Sequence, residues 1–219
     1  MPGKNLRMLG GQSLLSLAIN QAMATEGVAE VYVSTDSPEI AEEARRAGAL
    51  VPFMRPAELA RDDSPEWFAW QHFVKFMSDS SGAPPEYLLS VPTTAPLRAI
   101  EDIEGCIRVL IDDDSFDGSI CVTPSRRIPD FNMACRSPDG TVNLPGQRTG
   151  TALPFRRQDA EVLYEIVPSA YFVRADFVRR ANSLWEGTIG SHIVPEERSI
   201  DIDSEFDFKL AKFLITDLS

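Results

Sequence analysis

The sequence predicts an α/β fold built on a mostly parallel sheet with helices on both faces. Three observations carry that expectation. Up to Thr123, segments of helical period alternate with short runs of β-branched and apolar residues, in the order α–β–α–β–α–β–α–β. The 219 residues are 43% hydrophobic and 25% charged, a composition that can bury a core without disulfides or structural metal. Polar and basic side chains collect just after the strand-like runs, where an open parallel sheet binds its ligands.

Taken in order, residues 12–26 place Leu14, Leu15, Leu17, Ala18, Ile19, Ala22 and Met23 at helical intervals, and Gly27 ends that helix. Residues 28–35 (VAEVYVST) read as a buried strand. A helix follows over 38–47, opened by Ser37 and closed by Gly48, and 50–54 is another short strand. Residues 64–77 read as a helix with Ser64 as its cap, Pro65 at the first helical position and Glu66 in the first turn. Its Trp67, Phe68, Trp70 and Phe73 form a core or interface cluster. Residues 87–91, bounded by Pro85 and Pro92, are a strand, 99–110 a helix and 119–123 a strand.

The rhythm breaks at Pro124. Residues 124–158 are rich in Pro, Gly and Arg without helical period, and read as an insertion, a lid or a dimerisation arm. The α/β domain is then 1–123 with 159–219. Within the insertion, Ser137-Pro138-Asp139-Gly140 is a turn between strand-like pieces at 131–136 and 141–144. Further on, 163–173 and 190–194 are extended, 175–184 helical, 198–202 a short strand and 205–218 the last helix. No strand precedes the first helix, and neither G-x-G-x-x-G nor G-x-x-x-x-G-K-S/T is present.

Lys and Arg number 21 against 33 Asp and Glu, a net charge of −12. That excludes a nucleic-acid binder working by bulk charge, but one local basic cluster can still serve a small anion. The loops hold such residues: Lys4, Arg7, Arg55, Arg98, Arg126, Arg127, Arg148, Arg156 and Arg157. Cys106, Cys121 and Cys135 have no metal-ligand spacing and are expected as buried, reduced thiols of a cytoplasmic protein. No apolar run reaches the ~20 residues of a membrane span, and no secretory signal is read at the start, so no membrane partner is expected.

Ile200-Asp201-Ile202-Asp203 places two carboxylates two residues apart. On a strand both face one side, with the isoleucines turned inward. Two hard oxygen ligands suit a Mg²⁺ that also carries substrate phosphates, while the same residues could instead cap the helix that follows. Ser34-Thr35-Asp36, at a strand end, has the same two readings. His72 reads as a packing residue, and His192 has no serine or acidic partner placed by the sequence, so no nucleophilic triad is assembled.

Together, the stretches PGKNLRMLGGQSLL, VYVSTDSPEIAEEARRAGA, VPFMRPAELARDD, VPTTAPLRAIEDI, RRQDAEVLYEI and ERSIDIDSEFDFKLA resemble the acylneuraminate cytidylyltransferases, the CMP-sialic acid synthetases. The resemblance implies a Rossmann-like α/β domain with a small inserted dimerisation element, hence a homodimer. It implies transfer of CMP from CTP to a nonulosonic acid, a nine-carbon α-keto sugar acid, with release of pyrophosphate and a need for Mg²⁺. Carried onto this sequence, Lys4, Asn5, Ser34, Thr35, Asp36, Arg55 and Thr94 would meet the nucleotide. Arg98, Arg157, Gln158, Tyr171 and Phe172 would lie toward the sugar. Asp201 and Asp203 would hold the metal and, with Lys4, carry the catalysis.

The family opens with a strand and a Ser-Lys loop before its P-x-K-N segment, and this sequence starts at that segment. Pro92 stands where the family has Gln, and Pro168-Ser169-Ala170-Tyr171-Phe172 where it has N-G-A-I-Y. The alternative reading is therefore a scaffold or binding protein of the same fold that has lost catalysis. The related 3-deoxy-manno-octulosonate enzymes carry a Q-G-D-E loop that this sequence lacks.

Overall fold

A computed structural model describes residues 1, 3–61, 63–145 and 162–217. The chain divides into two compact units, Met1–Val122 with Ile166–Ser219, and Thr123–Glu165. In chain order the elements are β1 (Met8–Leu9), β2 (Gln12–Ser13), α1 (Leu14–Ala24), α2 (Pro38–Arg46), α3 (Glu66–Ser81), β3 (Tyr87–Ser90), α4 (Ile100–Asp112) and β4 (Gly118–Pro124). They continue with α5 (Pro129–Asn132), β5 (Cys135–Arg136), β6 (Val142–Asn143), β7 (Tyr164–Arg174), α6 (Ala175–Arg180), β8 (Ile189–Ile193) and α7 (Glu205–Asp217).

Local chemistry sets several of these boundaries. Ser13 opens α1 because its Oγ accepts the Ser16 amide at 3.0 Å, and Ser37 opens α2 by accepting the Ile40 amide at 3.3 Å. In α2, Glu39 lies in the first turn and Arg45 and Arg46 in the last, which suits the helix dipole. Helix α3 starts at Glu66 with Pro65, not Ser64, at the capping position, where it offers no side-chain oxygen. Helix α6 stops at Arg180, short of the expected 184, and a 3₁₀ turn at Leu184–Glu186 follows.

The central sheet has the order β3–β7–β4–β8. Strand β4 runs parallel to β8, whereas β3 and β7 are antiparallel, with Leu88 opposite Val173. The fold is thus α/β with a mixed sheet. Period 2 along β7 divides its side chains between two cores. Val173 packs with Trp67, Trp70 and Val74 of α3 and with Phe177 and Val178 of α6. Ala170 and Phe172 pack with Ile103, Cys106 and Leu110 of α4 and with Cys121 and Val194. Helices therefore cover both faces.

Three expected strands are not formed as such. Residues 28–35 and 50–54 are joined by a single parallel bridge, Tyr32 to Leu50. Its bonds run from Leu50 N to Val31 O at 2.8 Å and from Val33 N to Leu50 O at 2.9 Å. Each piece finds only the other among the described residues, so the ladder does not propagate. Residues 198–202 form no strand either. A 3₁₀ turn at Glu196–Arg198 leads into an irregular stretch whose Ile202 N donates to Thr94 O at 2.8 Å. Cys106 and Cys121 are buried free thiols, but Cys135 is exposed because its two-residue strand lies on a hairpin outside the main cores.

In the smaller unit β5 pairs antiparallel with β6. Ser137 N donates to Thr141 O at 2.9 Å and Gly140 N to Ser137 O at 3.0 Å, and Gly140 takes the φ of 93° that closes this turn. The first half of 131–136 is a helical turn instead of a strand, since Asn132 Oδ1 accepts the Ile128 amide at 2.6 Å. Among the described residues no helix is long and apolar enough to cross a membrane.

Candidate active site

The segment at Lys4–Leu6, the loop after β3 and the stretch entering α7 meet at one place. Gly3, with φ 67°, turns the chain into the 3₁₀ helix Lys4–Leu6. Lys4 Nζ then donates to Ile202 O at 3.0 Å and to Asp203 Oδ1 at 3.2 Å. Asn5 Oδ1 accepts from Thr93 Oγ1 at 2.7 Å, and the neighbouring Thr94 hydrogen-bonds the Asp201 carboxyl through its side chain. Ile202 is fully buried between the two aspartates, packed with Leu9, Leu14, Phe208 and Ala211. Alternation places Asp201 and Asp203 outward although no strand is present.

The alternative role for these aspartates, capping α7, is taken by other residues. Ser204 and Asp207 form a reciprocal box: Asp207 N donates to Ser204 Oγ at 3.3 Å, and Asp207 Oδ2 accepts from Ser204 N at 2.7 Å and Asp203 N at 3.2 Å. The carboxylates of Asp201 and Asp203 are left for other partners. Arg7 braces the same helix. Its guanidinium grips the Glu205 carboxylate with two donors, NH2 at 3.0 Å from Oε1, and lies 3.7 Å over the Phe208 ring.

Desolvation is the main cause that raises the Asp201 carboxyl above its ordinary value, and the charges of Asp203 and Asp207 add to it. The Thr94 hydrogen bond and the Lys4 charge pull the other way. Asp201 is nonetheless open to solvent on one side. A crowded pair of carboxylates, open on one side and offset by a single lysine, is the donor set expected of a Mg²⁺ site whose other ligands are water and substrate phosphate. Among the described residues no group of three or more His, Cys, Asp or Glu forms a closed metal cage.

A second cluster lies at Ser34–Asp36. Arg55 Nε donates to Ser34 Oγ at 3.1 Å and NH2 to Ser34 O at 2.6 Å, while Arg55 N donates to Thr35 O at 2.8 Å. Thr35 is buried and its Oγ1 accepts the Ser37 amide at 3.1 Å, so its role is local. Burial lowers the Arg55 guanidinium, and the carboxylates of Glu66 and Asp36 counter this. Glu66 also ties α3 to β3, since its Oε1 accepts from Trp70 Nε1 at 3.2 Å and from Ser90 Oγ at 3.3 Å. Tyr171, on β7, packs 5.6 Å from the Trp70 ring. Burial first, then Glu66 and Asp201, push its phenol up to about 12.

Two residues expected toward the sugar are placed in the interior. Arg98 is only 3% exposed. Its Nε donates to Gln21 Oε1 at 3.0 Å, NH1 to Ser169 O at 2.7 Å and NH2 to Pro92 O, so it braces the loop from inside. Burial pushes its guanidinium down to about 9, which leaves it charged at neutral pH. Phe172 points to the opposite face of β7 from Tyr171 and stacks on Tyr87 at 5.0 Å, because adjacent strand residues face opposite ways. Arg157 and Gln158 lie outside the described residues. Thr93, Glu66, Asp207 and the Arg7–Glu205 pair are additions to the expected set. Ser204-x-x-Asp207 was visible as a capping pattern, but nothing local marks an ion pair 198 residues apart.

An acidic pair with a lysine, beside the loop that follows β3 of an α/β sheet, is a place where such a fold can take an anionic ligand. The cytidylyltransferase family matches residues 1–126, and the chain belongs to that family. It is 30% identical to post-translational flagellin modification protein B of Campylobacter coli, over 97% of this chain and 88% of the relative. It is 29% identical to CMP-N,N'-diacetyllegionaminic acid synthase of Campylobacter jejuni, with the same coverage of each. Its fold is similar to that of CMP:2-keto-3-deoxy-manno-octonic acid synthetase complexed with CTP. There the TM-score is 0.67 at 15% identity, over 100% of this chain and 94% of the other.

Proposed function

We propose that the chain transfers CMP from CTP to a nonulosonic acid, with Mg²⁺, releasing pyrophosphate. The observation that carries this reading is the Lys4–Asp203 ion pair beside Asp201 at the Thr93–Thr94 loop. The synthase name of the Campylobacter jejuni relative supports a legionaminic-type acid as the acceptor class.

The reaction joins two anions. Two unit charges 4 Å apart repel by about 4 kcal/mol near a protein surface, so the site must supply positive charge where they meet. Lys4 would exchange Asp203 for the incoming triphosphate, and the released Asp203 would join Asp201 in holding Mg²⁺. When bound, the ion supplies charge neutralisation at the α-phosphate and lowers the pKa of the attacking anomeric hydroxyl. Asn5 and Thr94 fix the loop on which the nucleotide rests, and Tyr171 presents a protonated phenol on the Asp201 side. Alignment of hydroxyl, phosphorus and leaving pyrophosphate supplies the rest of the acceleration, without a covalent enzyme intermediate. The same reading makes the chain a cytoplasmic homodimer with residues 124–158 as the dimerisation arm. Sedimentation equilibrium tests that assembly.

The function is tested by supplying CTP, Mg²⁺ and a panel of nonulosonic acids and measuring pyrophosphate. Release is expected with at least one acceptor, and Asp203→Ala should lower kcat by about a hundred-fold or more. Absence of pyrophosphate with every acceptor would overturn the reading in favour of a binding protein, which a melting curve with and without CTP would then characterise.

A further inference from the structure

Two ties join the stretch 198–203 to the unit formed by the β3–α4 loop and α4. One is the Ile202 N to Thr94 O bond described above. The other lies three residues before Asp201. Arg198 Nε donates to Asp102 Oδ2 at 2.8 Å and NH2 to Asp102 Oδ1 at 2.7 Å. The Asp102 side chain is completely buried, and that of Arg198 is one-third exposed. Asp102 Oδ2 also accepts the Ala99 amide at 2.8 Å, so the carboxylate that starts α4 is the one that holds Arg198. The pair spans 96 residues of sequence. In place of the ladder that a strand would supply, two point attachments flank Asp201.

We propose that Asp102 and Arg198 are a positioning pair that sets where Asp201 and Asp203 stand relative to the Thr94 loop. Neither residue touches the reacting atoms. A planar guanidinium held through two parallel bonds fixes direction as well as distance, and a lysine at the same place supplies a point charge without that fork. The consequence for catalysis rests on the cytidylyltransferase reading above, whereas the positional claim does not.

Arg198→Ala would strand a buried carboxylate and endanger the fold, so the test uses Arg198→Lys and Asp102→Asn. Amide exchange read by NMR should show the Ile202 amide released about ten-fold faster in both, with the amides of α4 and β8 at wild-type rates. Turnover should fall about ten- to hundred-fold, the usual scale for groups that orient metal ligands, with KM for CTP little changed. An Ile202 amide that exchanges as in wild type, or only in step with α4 and β8, would overturn the proposal. So would a released Ile202 with unchanged kcat. A wild-type chain that releases no pyrophosphate would sink the functional reading instead, and the Ile202 exchange would still decide whether the pair positions the aspartates.

Discussion

Asp201 carries its charge against burial and against two neighbouring carboxylates, so the folded chain holds this proton more tightly than the unfolded chain does. The sign follows from linkage. Over the interval between the ordinary and the raised value the folded state binds more proton, and stability falls as pH rises through it. Asp201→Asn is therefore expected to melt above wild type at pH 7 in a chelator while losing turnover. The gap should close as pH falls below the ordinary carboxyl value, and Mg²⁺ should narrow it at neutral pH. Arg98 carries the opposite expectation. Arg98→Lys cannot reach Gln21, Ser169 and Pro92 together and should cost about 3 kcal/mol of stability by urea unfolding. KM for CTP and for the acceptor should barely move; a large rise in the acceptor's KM would return Arg98 to the sugar site.

At the scale of elements, the close approach of α4 to β8 decides how the second face of the sheet is covered. A Cβ on Gly105 would lie 2.2 Å from His192 Cε1, and one on Gly190 would lie 2.5 Å from Val109 Cγ1. Gly105→Ala should therefore destabilise by about 1–3 kcal/mol through overpacking. Gly105→Ala combined with His192→Ala should cost clearly less than the sum of the two single changes, because both act on one contact. A strictly additive double-mutant cycle would show that the helix adjusts elsewhere. The His192 ring serves as packing at this contact, and burial lowers its pKa while the Asp102 charge opposes the shift.

For the whole molecule, ligand linkage gives the most direct reading. On the proposed function, a chain with net charge −12 must offer CTP positive charge locally, and Lys4 and Arg55 are the cations that would supply it. CTP with Mg²⁺ at about a hundred times its Kd should stabilise the fold by roughly 2.7 kcal/mol, and Asp203→Ala should remove most of the Mg²⁺-dependent part. A melting temperature indifferent to both would count against a nucleotide site anywhere in the chain.

Periodicity by itself determined helices α1 to α4, because their apolar positions, and the cap at Ser37, are written within a few residues of each other. It also singled out Asp201 and Asp203, since alternation with Ile200 and Ile202 needs only local chain geometry. Tertiary structure alone decided the direction of β7 beside β3, which depends on a partner some eighty residues away. It likewise decided that residues 28–35 and 198–202 stay outside a ladder, because strand formation needs a neighbour and a run of apolar residues cannot announce whether one is present. Arg98 makes the same point in reverse: its place in the sequence pointed to a ligand, and only the carbonyls that surround it in space make it a brace.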